Sequence, residues 1–145
     1  CGNICVGSFA TGAAVKLTEK PGITSTFSHW SGGGCSGKGT CHVTLGSDVT
    51  VTAVYKRDRT RPRVTSLKVK ANHSRRTATI RFRGTDPGHG SRGLRFKCKL
   101  DGGRFASCRS AKLYKLLSPG RHTIQVKAID RAGNTSRPVK RKFRV

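Results

Sequence analysis

The stretch RFKCKLDGGRFASC, Arg95 to Cys108, restricts the fold of this chain more than any other. Leu94, Phe96, Cys98 and Leu100 alternate with Arg95, Lys97 and Lys99, which is the two-residue period of a strand with one buried and one wet face. All three wet positions are cationic. Asp101-Gly102-Gly103 supplies a turn whose glycines reach the positive φ angles that hairpins need, and Phe105 resumes the apolar pattern on the return. Cys98 and Cys108 then lie close enough to staple the hairpin. With no Met, 18 Gly, many Thr and Val and few helical signals, the rest of the chain follows suit, and the predicted fold class is all-β.

Charge divides the 145 residues in two. From Cys1 to Tyr55 there are three basic residues (Lys16, Lys20, Lys38) and two acids (Glu19, Asp48), a net of +1. From Lys56 to Val145 there are 27 basic residues against Asp58, Asp86, Asp101 and Asp130, a net of +23. A break that sharp predicts a domain over residues 1–55, a basic linker KRDRTRPR over 56–63, and a strongly basic domain over 64–145. Such a charge opposes compaction by self-repulsion, so its retention points to a polyanion: nucleic acid, anionic polysaccharide, teichoic acid or an acidic membrane surface. Adaptation for solubility or high salt is the competing explanation.

The six cysteines fall as four and two, permitting pairing inside each part. Cys1 and Cys5 are near enough for a local loop, and Cys35 and Cys41 can close another. No C-x-x-C pair or His/Cys cluster at zinc spacing occurs, so disulfides are expected rather than metal, and with them an oxidising, extracellular or cell-surface location. No apolar run approaches the roughly 18 residues of a membrane span, and no signal peptide is seen, so a mature or trimmed product is expected.

In the first part, Val15 and Leu17 alternate with Lys16 and Thr18 before a Pro21-Gly22 turn, and Phe27 and Trp30 precede a glycine-rich loop. Val43 and Leu45 lead to a turn at Gly46 to Asp48, after which Val49, Val51, Ala53 and Tyr55 share one face. Four short strands make a marginal core that disulfides must reinforce. The order CGNIC, GAAVKLTEKPG, TFSHWSGGGCSGKGTC, HVTLGSDVTVTAVY closely resembles the divergent repeat modules of secreted bacterial proteins related to the B-repeat of listerial internalins. Members of that family normally begin with one more strand, so trimming is expected here, with a strand donated by a neighbouring molecule as the alternative.

In the second part, Leu67 and Val69 alternate with Lys68 and Lys70, and Ala78, Ile80 and Phe82 with Thr79, Arg81 and Arg83. After the long glycine loop and the hairpin comes an apolar segment at Leu113, Tyr114, Leu116 and Leu117. His122, Ile124, Val126 and Ala128 then point inward from a strand, and Val139, Arg141, Phe143 and Val145 oppose Lys140, Lys142 and Arg144. Seven strand-like segments separated by turns are what a sandwich needs. FKCKLDGGRFASC, LLSPGRH and KAIDRAGNTS resemble the Ig-like modules of bacterial, especially actinobacterial, surface proteins. That resemblance implies a disulfide across the hairpin at Cys98 and Cys108 and a role as spacer, adhesive module or accessory binding domain. The charge departs from typical members, which are near neutral or acidic.

An enzyme is not expected: the histidines at 29, 42, 73, 89 and 122 are scattered, and none sits in a nucleophile motif. His122 alternates with core positions and reads as a packed histidine. No metal and no cofactor is expected, since Asp101 and the Asp130 to Asn134 loop offer too few carboxylates for a calcium cage and turn residues ordinarily bond their own backbone. Trp30 reads as core. Asn72-His73-Ser74 and Asn134-Thr135-Ser136 fit a glycosylation pattern that often occurs by chance.

The remaining feature is the cationic strand faces. Residues two apart on a strand project to one side about 6.7 Å apart, so Arg95, Lys97 and Lys99 form one row and Lys140, Lys142 and Arg144 another. With Lys127 between them, these rows are expected on one sheet of the sandwich; Lys68 with Lys70 and Arg81 with Arg83 are expected on the other. The expected function is a secreted, non-enzymatic protein that binds or coats a polyanion through its backbone charge, extracellular DNA first and acidic glycan second, with self-assembly as a fibre or matrix subunit in view. The alternative is a spacer or adhesin fragment of a larger bacterial cell-surface protein.

Overall fold

The computed structural model describes residues 5–87 and 89–145. The chain is all-β, and it divides into two compact units at Arg57/Asp58. Among the described residues no helix is long and apolar enough to cross a membrane.

The first unit holds β1 (Ala14–Leu17), β2 (Ser25–Gly32), β3 (Cys35–Gly37), β4 (Cys41–Thr44) and β5 (Thr52–Arg57). β1 pairs antiparallel with β4, and β2 is the centre of a second sheet ordered β3-β2-β5. Trp30, Cys41 and Val43 are buried, with Leu17, Phe27, Val51 and Ala53 packed against them. Trp30 is therefore core, and its indole N–H, which would be costly to leave unpaired there, donates to the Gly39 carbonyl at 2.9 Å. The last strand is shorter at its start than the alternation predicts. It begins at Thr52, and Val49 and Tyr55 are more than a third exposed. The Gly32 to Gly34 run explains itself: all three residues have positive φ, and a Cβ on Gly33 would come within 2.5 Å of Val51 Cγ2. Cys35 and Cys41 are bonded across a Cα separation of 5.5 Å. The expected Cys1–Cys5 loop lies outside the described residues.

The second unit is an Ig-like sandwich of seven strands: β6 (Arg63–Asn72), β7 (Thr77–Thr85), β8 (Arg95–Leu100), β9 (Ala106–Cys108), β10 (Lys112–Tyr114), β11 (Arg121–Ile129) and β12 (Val139–Arg144). They form two antiparallel sheets, β10-β7-β6 and β12-β11-β8-β9. Ala78, Ile80 and Phe82 from β7 meet Cys98 from β8 and Ile124 and Val126 from β11, closed off by Leu67, Leu117 and Val145. All of these positions but Leu117, which comes from the apolar segment after β10, are on the apolar side of an alternating run, so removing that surface from water drives the two sheets together. The hairpin forms at the predicted place, with Cys98 bonded to Cys108 at a Cα separation of 5.7 Å, but the positive φ of its turn falls on Asp101 and not on Gly102 or Gly103.

The stretch expected as a linker, residues 56–63, is occupied by structure at both ends. Lys56 and Arg57 complete β5, and Arg63 opens β6. Between them Asp58 is 1% exposed and Pro62 is fully buried.

Candidate polyanion-binding surface

The four-stranded sheet turns its non-core face to water, and its register sets the cations on that face side by side. β11 runs between β8 and β12, so Lys127 lies directly opposite Lys97, and Gln125 is flanked by Lys99 on one side and Lys140 on the other. Thr123 faces Lys142, and Arg121 faces Arg144. Arg95 closes the row at the end of β8, opposite Ile129. The rows predicted from alternation, with Lys127 between them, therefore share one sheet. Lys97, Lys99 and Lys127 are half-buried by their neighbours, whereas Arg95, Lys140, Lys142 and Arg144 are exposed.

The three-stranded sheet carries the second set. Lys68 lies opposite Arg81, Ser66 opposite Arg83, and Lys70 opposite Thr79, all four cations exposed. Strands β6 and β12 come together where the two sheets meet, and a shallow depression there is lined by Lys68, Val69, Arg141 and Lys142. Cations of both sheets thus border one groove.

Three side chains depart from the predicted pattern, one of them Val139, which has the parity of the core but is exposed at the start of β12. Phe105 does not rejoin the core on the return strand; its ring lies beneath Lys127 Nζ at 4.5 Å and Lys99 Nζ at 5.9 Å. The aromatic face offsets some of the repulsion between those two ammonium groups and shields their stems. Arg141 alternates with core positions but sits on the edge strand, where its long side chain reaches water instead of the interior.

The acids of this unit are all committed elsewhere. Asp101, in the hairpin turn at φ 47°, accepts from the Thr123 N–H through Oδ1 (2.7 Å) and binds His122 Nδ1 through Oδ2 (2.8 Å). His122, 6% exposed, also places Nε2 2.8 Å from the Ser118 carbonyl oxygen and stacks on Phe143. Both ring nitrogens face acceptors, so both must donate, which is the imidazolium form. The bonds to Asp101 and Ser118 raise the His122 pKa against the effect of burial. Burial pushes Asp101 upward, but the bonds from His122 and Thr123 outweigh it and hold the carboxylate below its ordinary range. His122 is the packed histidine the alternation predicted, and it latches the hairpin to β11.

Asp58, Asp86 and Asp130 are buried together, with 1%, 2% and 1% of their surface exposed. Asp130 stays within its own loop, as turn chemistry predicts: its two oxygens accept from the Asn134 backbone N–H (2.8 Å) and side-chain amide (2.9 Å). The same amide also donates to the Asp58 carbonyl at 3.1 Å, so the Asn134 side chain is tied into the fold. Burial, with the Asp58 and Asp130 charges, raises the Asp86 pKa, and His89 opposes the shift. One carboxylate oxygen each of Asp58 and Asp86 and the Nε2 of His89 are buried without a hydrogen-bond partner among the described residues. These three residues form a ligand-like group that the sequence reading, which expected no metal, did not assemble.

No protein-family model matches the chain, and no curated protein matches it. Among solved structures, the chain is similar to the fibronectin(III)-like modules of Clostridium thermocellum CbhA, at 16% identity over 93% of this chain and 86% of that chain, with a TM-score of 0.44.

Proposed function

We propose that this protein is a secreted, non-enzymatic binding module whose basic sandwich holds a polyanion, extracellular nucleic acid ahead of acidic glycan. The observation that carries the reading is the absence of counter-charge on the cationic faces: the unit's four acids are either buried or in the hairpin turn, while Lys97 is set opposite Lys127 on one sheet and Lys68 opposite Arg81 on the other. Adjacent like charges at cross-strand positions cost stability. A polyanion relieves that repulsion and releases its own counterions, which gives affinity through the phosphate or sulfate backbone with little sequence information. Lys97, Lys99, Lys127 and Lys140 form the centre of the contact, with Arg95, Lys142 and Arg144 around them. The other sheet's Lys68, Lys70, Arg81 and Arg83 give a second face, suited to bridging two strands or to packing copies of the chain along one polyanion. The disulfides Cys35–Cys41 and Cys98–Cys108 support a location in an oxidising compartment.

The test is binding of the oxidised chain to duplex DNA across a salt series, with an acidic polysaccharide as competitor. Affinity is expected to fall log-linearly with salt, with a slope of about −0.9 per phosphate neutralised. Failure to bind DNA or polysaccharide at low salt would end this reading in favour of the spacer or adhesin alternative.

A further inference from the structure

We infer that Asp58, Asp86 and His89 form a binding site for a divalent transition-metal ion, of the Zn2+ or Mn2+ class, built into the basic sandwich. Their donor atoms lie within 4.8 Å of one another, with Asp58 Oδ2 and His89 Nε2 3.9 Å apart. One cation bonded at about 2.0–2.2 Å to each ligand spans separations up to roughly 4 Å, so small movements bring the three into one coordination sphere.

The second observation is what these atoms lack. Asp58 Oδ2, Asp86 Oδ1 and His89 Nε2 are all buried with no hydrogen-bond partner among the described residues, and the side chain of Asp58 is wholly shielded from water. Buried polar atoms are nearly always satisfied, and buried carboxylates are paired or hold a metal. The unit is crowded with Lys and Arg, yet none of them hydrogen-bonds these two carboxylate oxygens. The remaining oxygens and the backbone are fixed from behind. Asp58 Oδ1 accepts from the Thr60 N–H at 2.8 Å, and the Asp58 carbonyl accepts from Asn134. The Asp86 carbonyl accepts from the N–H groups of His89 (3.1 Å) and Gly90 (2.8 Å), which turns the imidazole back toward the carboxylate. Outer contacts of this kind orient ligands and leave their free atoms aimed at a common point. Asp130, held by Asn134, adds negative charge beside the group without spending a ligand atom.

The donor set chooses the ion. Ca2+ and Mg2+ take oxygen ligands, whereas an imidazole nitrogen with two carboxylate oxygens suits Zn2+ or Mn2+. Binding would fasten Asp58, at the start of the unit, to the loop after β7, and so act as a structural staple at one end of the sandwich.

The test uses the intact, oxidised chain, freed of metal by chelation and dialysis. Calorimetric titration and thermal unfolding are recorded with Zn2+, Mn2+, Ca2+ and Mg2+ for the wild type, Asp86→Asn and His89→Gln. Zn2+ or Mn2+ at a hundredfold excess over its Kd is expected to raise the unfolding temperature on the order of 10 °C, and both variants are expected to lose that rise. Metal-free Asp86→Asn should unfold no earlier than the wild type, because the amide removes one of two facing carboxylates. If Asp86→Asn does not fold, His89→Gln decides the matter. The proposal is overturned if no divalent ion binds, if both variants respond as the wild type does through ions held by surface histidines, or if Ca2+ alone is effective, which would remove His89 from the site.

Discussion

Lys97→Gln should make the protein more stable and a poorer ligand for DNA at the same time. Lys97 sits directly across from Lys127 on the four-stranded sheet, with Lys99 two residues along the same strand. A like-charge pair at cross-strand positions costs about 0.2–1 kcal/mol. Phe105 relieves Lys127 and Lys99, whose ammonium groups lie over its ring, so Lys97 is the member of the cluster whose removal sacrifices no such contact among those observed. Gln keeps the aliphatic stem and removes the charge. For a unit of this size the gain corresponds to a rise of about 1–6 °C in unfolding temperature. The cause is Coulombic, so the gain should shrink in 1 M salt, where the screening length is about 3 Å against about 10 Å at 0.1 M. In the same variant the salt slope of DNA binding should become shallower by about 0.9 if Lys97 neutralises one phosphate. Thermal unfolding at low and high salt, beside a salt titration of DNA affinity, reads both quantities. A loss of stability at low salt, or a gain that persists unchanged in 1 M salt, would refute the claim that this row is held against repulsion. An unaltered slope would remove Lys97 from the contact.

The His122–Asp101 latch should make stability depend on pH. His122 has its pKa raised in the folded protein, so its contribution is complete below the unfolded value of about 6.5 and is lost as pH rises through the folded value. Asp101 is lowered, so its contribution is present above about pH 3.9 and is lost on acidification through the folded value. Urea unfolding should therefore show the latch strongest between about pH 4 and 6.5. Asp101→Asn, which tolerates the same positive φ, should flatten that dependence at a cost of about 1 kcal/mol, low for a charge-assisted bond because the carboxylate is 45% exposed. Replacing both Cys98 and Cys108 by Ala should cost about 2–4 kcal/mol through loop closure, read as a lower urea midpoint of the second unit. An unchanged midpoint would mean that the β8–β9 hairpin does not depend on its staple.

The strand faces were legible because alternation is a local property. A residue's side of a strand follows from its parity, which is why Phe96, Cys98, Ile124 and Val126 are inside and Lys97, Lys99, Lys127 and Lys140 outside. Parity fails where a strand lies at an edge or gives way to a turn. Arg141 has the parity of a core residue and the environment of a rim, and Phe105, just beyond the hairpin turn, folds over the outer face onto two lysines.

What the sequence by itself determined is the all-β class, the two staples among the described residues, the seven-strand plan of the basic unit and the identity of its cationic rows. Each follows from spacing over a few residues. Tertiary structure alone decided which rows are neighbours, since Lys97 meets Lys127 across thirty residues of chain only because β11 pairs with β8. It also decided that Asp58, Asp86 and His89 converge. Asp58 read as part of a linker and the other two as loop residues, and no period relates them. Their meeting is a consequence of how chain ends and loops close over a sandwich, and buried donor atoms with no partner become visible only when that closure is seen.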